Sequence, residues 1–154
     1  MKLSIIIPVY NTEEYIRQCI DSVMNIKNIE TEIIAVNDGS TDRTKDILEE
    51  YTENHDRIKV ITQENQGASA ARNTGIKAST GDYIYFLDSD DWVDTVSFEK
   101  IIRQLEDDYK SGEKTDIVVG KEKAYSEFTK EEVLDERIPR ELIGKTVSGK
   151  EYMI

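Results

Sequence analysis

Three carboxylates crowd into four positions at Asp88-Ser89-Asp90-Asp91, directly after the strand-like run Tyr83–Leu87. Like charges at this spacing repel, and a bound cation is the simplest means of holding them together in a folded protein. Oxygen ligands select a hard divalent ion, Mg2+ or Mn2+, which also recruits phosphate oxygens. A carboxylate, such an ion and a diphosphate together could stabilise a departing nucleoside diphosphate. Taken alone the acidic cluster is a weak signal, because most acidic loops are simply solvated. Asp38-Gly39-Ser40 sets another carboxylate beside a glycine turn, where it either accepts an N–H from a nucleobase edge or caps the next helix. Pro8 and Tyr10 could wall a flat base or pack inward. Arg72 follows the small residues Gly67-Ala68-Ser69-Ala70-Ala71, so its planar fork could reach a phosphate or pin Asp88. Trp92 reads as core or loop packing.

Other chemistries are excluded by the same residues. As a twelve-residue calcium loop from Asp88, the sixth position would need Gly and is Val93, and Trp92 stands at a ligand position. No G-x-G-x-x-G follows the first strand and no G-x-x-x-x-G-K-[ST] occurs, so dinucleotide and P-loop cradles are missing. His55 is the single histidine, which rules out a zinc site built on histidines. A formal net charge of −12 argues against a nucleic-acid partner. Cys19 is the single cysteine, so no internal disulfide forms and a cytoplasmic location is expected. No apolar run approaches the roughly 20 residues of a membrane span.

The elements that must position these groups alternate. Leu3–Pro8, Glu32–Asn37, Arg57–Thr62 and Asp82–Leu87 are short β-branched or aromatic runs, and Asp116–Val119 predicts a fifth strand. Between them, apolar spacing predicts a helix through Tyr15–Met24 with a capping box at Asn11–Glu14. A second helix, capped by Ser40 or Thr41, runs through Ile47, Leu48 and Tyr51. A third covers about Ala68–Ala78, and a fourth covers Val96–Tyr109 with Ile101, Ile102 and Leu105 on one face. Such alternation implies an α/β fold, a mainly parallel sheet with helices on both faces. Ligands in such sheets bind beyond the carboxyl ends of the strands, where Tyr10–Glu14, Asp38–Asp42 and Asp88–Asp91 all fall.

Four motifs together carry a resemblance: Ser4-Ile5-Ile6-Ile7-Pro8-Val9-Tyr10-Asn11, Val36-Asn37-Asp38-Gly39-Ser40-Thr41-Asp42, Asn65-Gln66-Gly67 through Ala71-Arg72-Asn73 to Gly75, and Phe86-Leu87-Asp88-Ser89-Asp90-Asp91-Trp92. In this order and spacing, residues 1–120 resemble the family 2 glycosyltransferases of the GT-A fold. The resemblance implies a donor site for a nucleoside-diphosphate sugar, usually a UDP-sugar. Pro8 and Tyr10 would border the base and Asp38 would hydrogen-bond it. Asn65 and Arg72 would line the pocket, Asp88 and Ser89 would lie toward the ribose or sugar, and Asp90 would ligate Mn2+ or Mg2+. It further implies inverting transfer to a glycan acceptor, with a general base that no pattern within these residues supplies and that is expected beyond Ile154. Residues 121–154 would then begin an acceptor-side region, and the capping pattern Ser148-Gly149-Lys150-Glu151 suggests a helix that continues past them. Membrane contact is expected only through segments outside this chain. The competing readings are a non-catalytic nucleotide-binding module of the same fold and a nucleotidyltransferase, the latter lacking a basic Gly-rich loop after the first strand.

Overall fold

A computed structural model describes residues 1–27, 29–112, 115, 123–125 and 132–134. The chain divides into two compact units, Met1–Thr115 and Asp116–Ile154. In the first, β1 (Lys2–Val9), β2 (Glu30–Asp38), β3 (Ile58–Gln63) and β4 (Tyr83–Phe86) form a wholly parallel sheet in the order β3-β2-β1-β4. Four helices connect or follow them: α1 (Ile16–Met24), α2 (Thr44–Asn54), α3 (Ala68–Ala78) and α4 (Thr95–Ser111). The chain moves outward from β1 to β3, then crosses back to place β4 on the other side of β1. The carboxyl ends of β1 and β4 therefore flank a topological switch point, the position at which open α/β sheets bind ligands.

Alternation along β1 splits the interior into two faces. Ile5, Ile7 and Val9 join Ile33 and Ala35 of β2 against Ile16, Cys19, Ile20 and Val23 of α1, Ile47 and Leu48 of α2, and Phe98 and Ile102 of α4. The α1 residues recur at helical spacing, so a single stripe is buried, and each fully buried Ile is worth about 1.5–3 kcal/mol. On the opposite face, Ala71 of α3 packs on Ile34 and Val36. Gly75 lets α3 sit closer still, because a Cβ there would lie 2.3 Å from Ile6 Cγ2.

Two polar features of β1 have structural reasons. Pro8 lacks an N–H, yet it sits in an interior strand. Lys2 and Ile6 turn their carbonyls toward the β4 side, accepting from Asp82 and Leu87, and Pro8 shares that direction. The β1–β4 ladder ends at Ile6 and Phe86, so no bond is lost at Pro8. Ser4 is fully buried but satisfied: its hydroxyl donates to Glu32 and accepts from the Gly81 N–H. Thr80 and Lys2 complete the same network around Glu32, fastening the turn before β4 to the amino ends of β1 and β2.

Helix caps differ from the sequence expectation. Neither α1 nor α2 has a side-chain N-cap, and α1 begins at Ile16 after a turn over Thr12. The residues expected to cap them bond across to the neighbouring loop instead. Asp94 does cap α4 in the usual way, accepting from Ser97 N–H. In the second unit, β5 (Lys123–Tyr125) pairs antiparallel with β6 (Glu132–Leu134). The strand expected at Asp116–Val119 and the helix start at Ser148 lie outside the described residues. Among the described residues no helix is long and apolar enough to cross a membrane.

Candidate functional site

Four loops meet the carboxyl edge of the sheet, and hydrogen bonds between them replace the expected caps. Asn11, with φ 50°, turns the chain after β1 in a left-handed conformation that Asn tolerates. Its N–H donates to Ser40 Oγ, and its Oδ1 accepts from the Thr41 N–H at 2.8 Å. Thr12 N–H donates to Thr44 Oγ1, while the Glu13 carboxylate accepts from Arg43 N–H. The loops after β1 and β2 thus form one unit. Gly39, at φ 75°, brings the β2 loop against the next one, with Asn65 N 2.9 Å from where its Cβ would stand.

Asp38 ties that third loop down. It is 2% exposed, and its Oδ1 accepts from Gln63 Nε2 and Gln66 N–H while its Oδ2 accepts from Gly67 N–H at 2.7 Å. Gly67 is the N-cap position of α3, so Asp38 caps a helix 29 residues away rather than the one that follows it. Burial alone would raise the Asp38 pKa, but the donors from Gln66, Gln63 and Gly67 outweigh it and hold the carboxyl below its ordinary range. Oδ2 takes one donor here and keeps one acceptor position.

At the switch point Arg72 of α3 donates to Asp88 Oδ1 at 2.5 Å. Both side chains remain partly exposed, at 34% and 52%. Asp90 and Asp91 are exposed, and Asp91 N–H donates back to the Asp88 carbonyl in a tight turn. The carboxylates do not close into a cage: among the described residues no group of three or more His, Cys, Asp or Glu converges to hold a metal. This arrangement still fits Mg2+ or Mn2+, which usually takes only one or two carboxylates and completes its shell with water and phosphate oxygens.

The remaining expected residues separate by exposure. Tyr10 is 48% exposed at the end of β1, and Asn65 is exposed in the loop before α3. Pro8 and Ser89 are buried, at the end of β1 and in the acidic turn. Trp92, read as core or loop packing, is 45% exposed beside the acidic turn, which excludes the core. Sequence reasoning missed Gln63, Gln66 and Gly67 as partners of Asp38, and it missed Cys19 and Ser22 beneath the acidic loop. No local pattern marks such contacts across 25 to 71 residues.

Comparison with known proteins decides the family. Residues 4–152 match the profile of glycosyl transferase family 2. The chain belongs to that family. EpsH of Bacillus subtilis is 47% identical over 117 residues, which is 76% of this chain and 32% of EpsH. The Streptococcus pneumoniae glycosyltransferase GlyA is 42% identical over 126 residues, covering 82% of this chain and 17% of GlyA. This chain therefore spans at most about a third of these family 2 relatives. Among solved structures, Staphylococcus aureus TarS 1-349 in complex with UDP-GlcNAc superposes with TM-score 0.64 at 32% identity, over 71% of this chain and 32% of that one. The Pyrobaculum calidifontis mannosyltransferase PcManGT, in complex with GDP-Man and Mn2+, gives TM-score 0.62 at 22% identity, over 67% of this chain and 32% of that one. The chain has the GT-A fold, with a four-stranded parallel sheet among the described residues.

Proposed function

We propose that this family 2 domain binds the donor of an inverting glycosyltransferase, a nucleoside-diphosphate sugar with UDP as nucleotide, and presents it to a glycan acceptor. The observation that carries this reading is the switch point itself. Exposed Asp88 and Asp90 lie at the carboxyl end of β4, Tyr10 stands at the end of β1, and Asp38 sits one strand further on. The UDP and UDP-GlcNAc complexes of TarS, a structural neighbour above 30% identity, support the choice of nucleotide.

In this reading Tyr10 lies against the base, and the free acceptor position of Asp38 Oδ2 takes an N–H from the base edge. Pro8 borders the base together with Tyr10. Asn65 and Arg72 line the nucleotide pocket, and Arg72 offers a second donor nitrogen toward phosphate while it holds Asp88. Asp88 and Ser89 lie toward the ribose or sugar. Asp90 would hold Mg2+ or Mn2+, which when bound neutralises charge on the diphosphate leaving group. Residues 1–120 form the donor-binding domain, and residues 121–154 open the acceptor side. In this reading the general base is not among the described carboxylates, and these residues contribute donor binding rather than transfer. The single buried thiol suits the reducing cytoplasm.

Calorimetric titration of UDP with and without Mn2+ tests this function. Metal-dependent binding that disappears in Asp90→Ala is expected. Binding that ignores Mn2+ favours a non-catalytic nucleotide module, and preference for a nucleoside triphosphate with pyrophosphate release favours a nucleotidyltransferase.

A further inference from the structure

One turn of α1 lies beneath the acidic loop and grips both of its ends. At the start, the Cys19 thiol sits 3.6 Å from the Asp88 carbonyl, the same oxygen that closes the turn with Asp91 N–H. At the far end, Ser22 Oγ accepts from the Val93 N–H at 3.2 Å while donating to the Cys19 carbonyl at 2.7 Å. The Ser22 carbonyl, in turn, accepts from Thr95 Oγ1 at 3.1 Å. Serine inside a helix commonly bonds back to a carbonyl three or four residues earlier. Here that bond also orients the hydroxyl so that its lone pairs meet the loop.

We propose that Ser22, with Cys19, is a positioning residue for the metal-binding loop: it fixes the span from Asp88 to Val93 so that Asp90 is presented to the cation and diphosphate. This inference rests on the donor-site reading above. Asp88, Asp90 and Asp91 repel one another, and Arg72 holds Asp88. A loop gripped at both ends cannot relax that repulsion by opening outward. Its side chains then stay on the cleft side of the turn. Groups that orient a metal ligand without touching the metal typically change metal affinity by about 10–100-fold.

The test uses the 154-residue protein, with UDP titrated in the presence and absence of Mn2+. In Ser22→Ala, metal-free UDP affinity should stay within about two-fold, while the enhancement given by Mn2+ falls about ten-fold. Ser22→Thr, which keeps the hydroxyl, should restore most of the enhancement. A merely structural Ser22 would lower the melting temperature and weaken UDP equally with and without metal, and that result overturns the proposal. So does full Mn2+ enhancement in Ser22→Ala. Should Ser22→Ala fail to fold, Thr95→Val removes a single loop-end hydrogen bond and asks the same question, with the same two outcomes. Wild-type protein whose UDP binding ignores Mn2+ sinks the donor-site reading, and this inference falls with it.

Discussion

Replacing Gly75 by Ala probes how closely α3, the helix that carries Arg72, is seated on β1. A Cβ at position 75 would stand 2.3 Å from Ile6 Cγ2 and 3.3 Å from both Cβ and Cγ1 of Ile6. Non-bonded carbons rest at about 3.5–4.0 Å, so relief requires a shift of more than about 1 Å or a new Ile6 rotamer. Ile6 is fully buried and branched at Cβ, which makes rotation costly. Two effects oppose each other. Ala favours a helix interior over Gly by about 1 kcal/mol, whereas overpacking a tight core costs about 1–3 kcal/mol and occasionally more. The clash lies so far inside contact distance that its upper range applies, leaving a net loss of about 1–2 kcal/mol. For a chain of this size the melting temperature should fall by about 2–8 °C. Urea melts of Gly75→Ala, Ile6→Ala and the double variant check the cause. Ile6→Ala alone should cost about 2–5 kcal/mol. In the double variant the methyl introduced at position 75 fills the vacated space, so it should be no less stable than Ile6→Ala. Strictly additive energies, or a Gly75→Ala variant more stable than the parent, would refute the close-seating argument.

Glu32 should contribute acid-sensitive stability. Burial alone would raise its pKa, but hydrogen bonds from Ser4, Thr80 and Lys2 prevail and hold it at about 2, against an ordinary 4.5. A depressed carboxylate stabilises fully above pH 4.5 and loses its contribution as pH falls toward 2. Glu32→Gln should therefore be less stable than the parent by about 1–3 kcal/mol at pH 7, the gap closing on acidification in pH-dependent melts. Asp38→Ala removes the charged acceptor of the Gln66 and Gly67 N–H groups and should cost about 1–3 kcal/mol, measured by thermal denaturation without ligand. Asp90→Asn should leave unliganded stability within about 0.5 kcal/mol, since the side chain is exposed, yet remove the rise in melting temperature given by UDP with Mn2+.

The sheet was legible because its signals are local. Ile5, Ile6 and Ile7 and the matching run Ile33–Val36 are buried on both faces, as continuous apolar strands of a parallel sheet must be. Strand ends then located the loops at which carboxylates could act. What escaped was long-range and polar. Asn11 looks like the cap of α1, but the loop after β2 offers it the Thr41 N–H, and that bond wins. Asp38 reads as a base contact or as a cap for the next helix, and the sequence does not show that its carboxylate takes donors from Gln63 at the end of β3 and from the Gln66 and Gly67 N–H groups before α3. Cys19 reads correctly as a core position of an amphipathic helix, while its contact with the Asp88 carbonyl depends on how β4 is placed beside β1. The family motifs suggest candidate site residues but do not say which of them are buried.

Crystals grown with UDP and Mn2+, with anomalous data collected at the manganese edge, examine the site most directly. The expected peak lies within about 2.2 Å of the Asp90 carboxylate and touches the UDP diphosphate, with the uracil near Tyr10. UDP bound away from the β1–β4 edge, or a manganese peak with no Asp90 oxygen in its shell, would contradict the assignment.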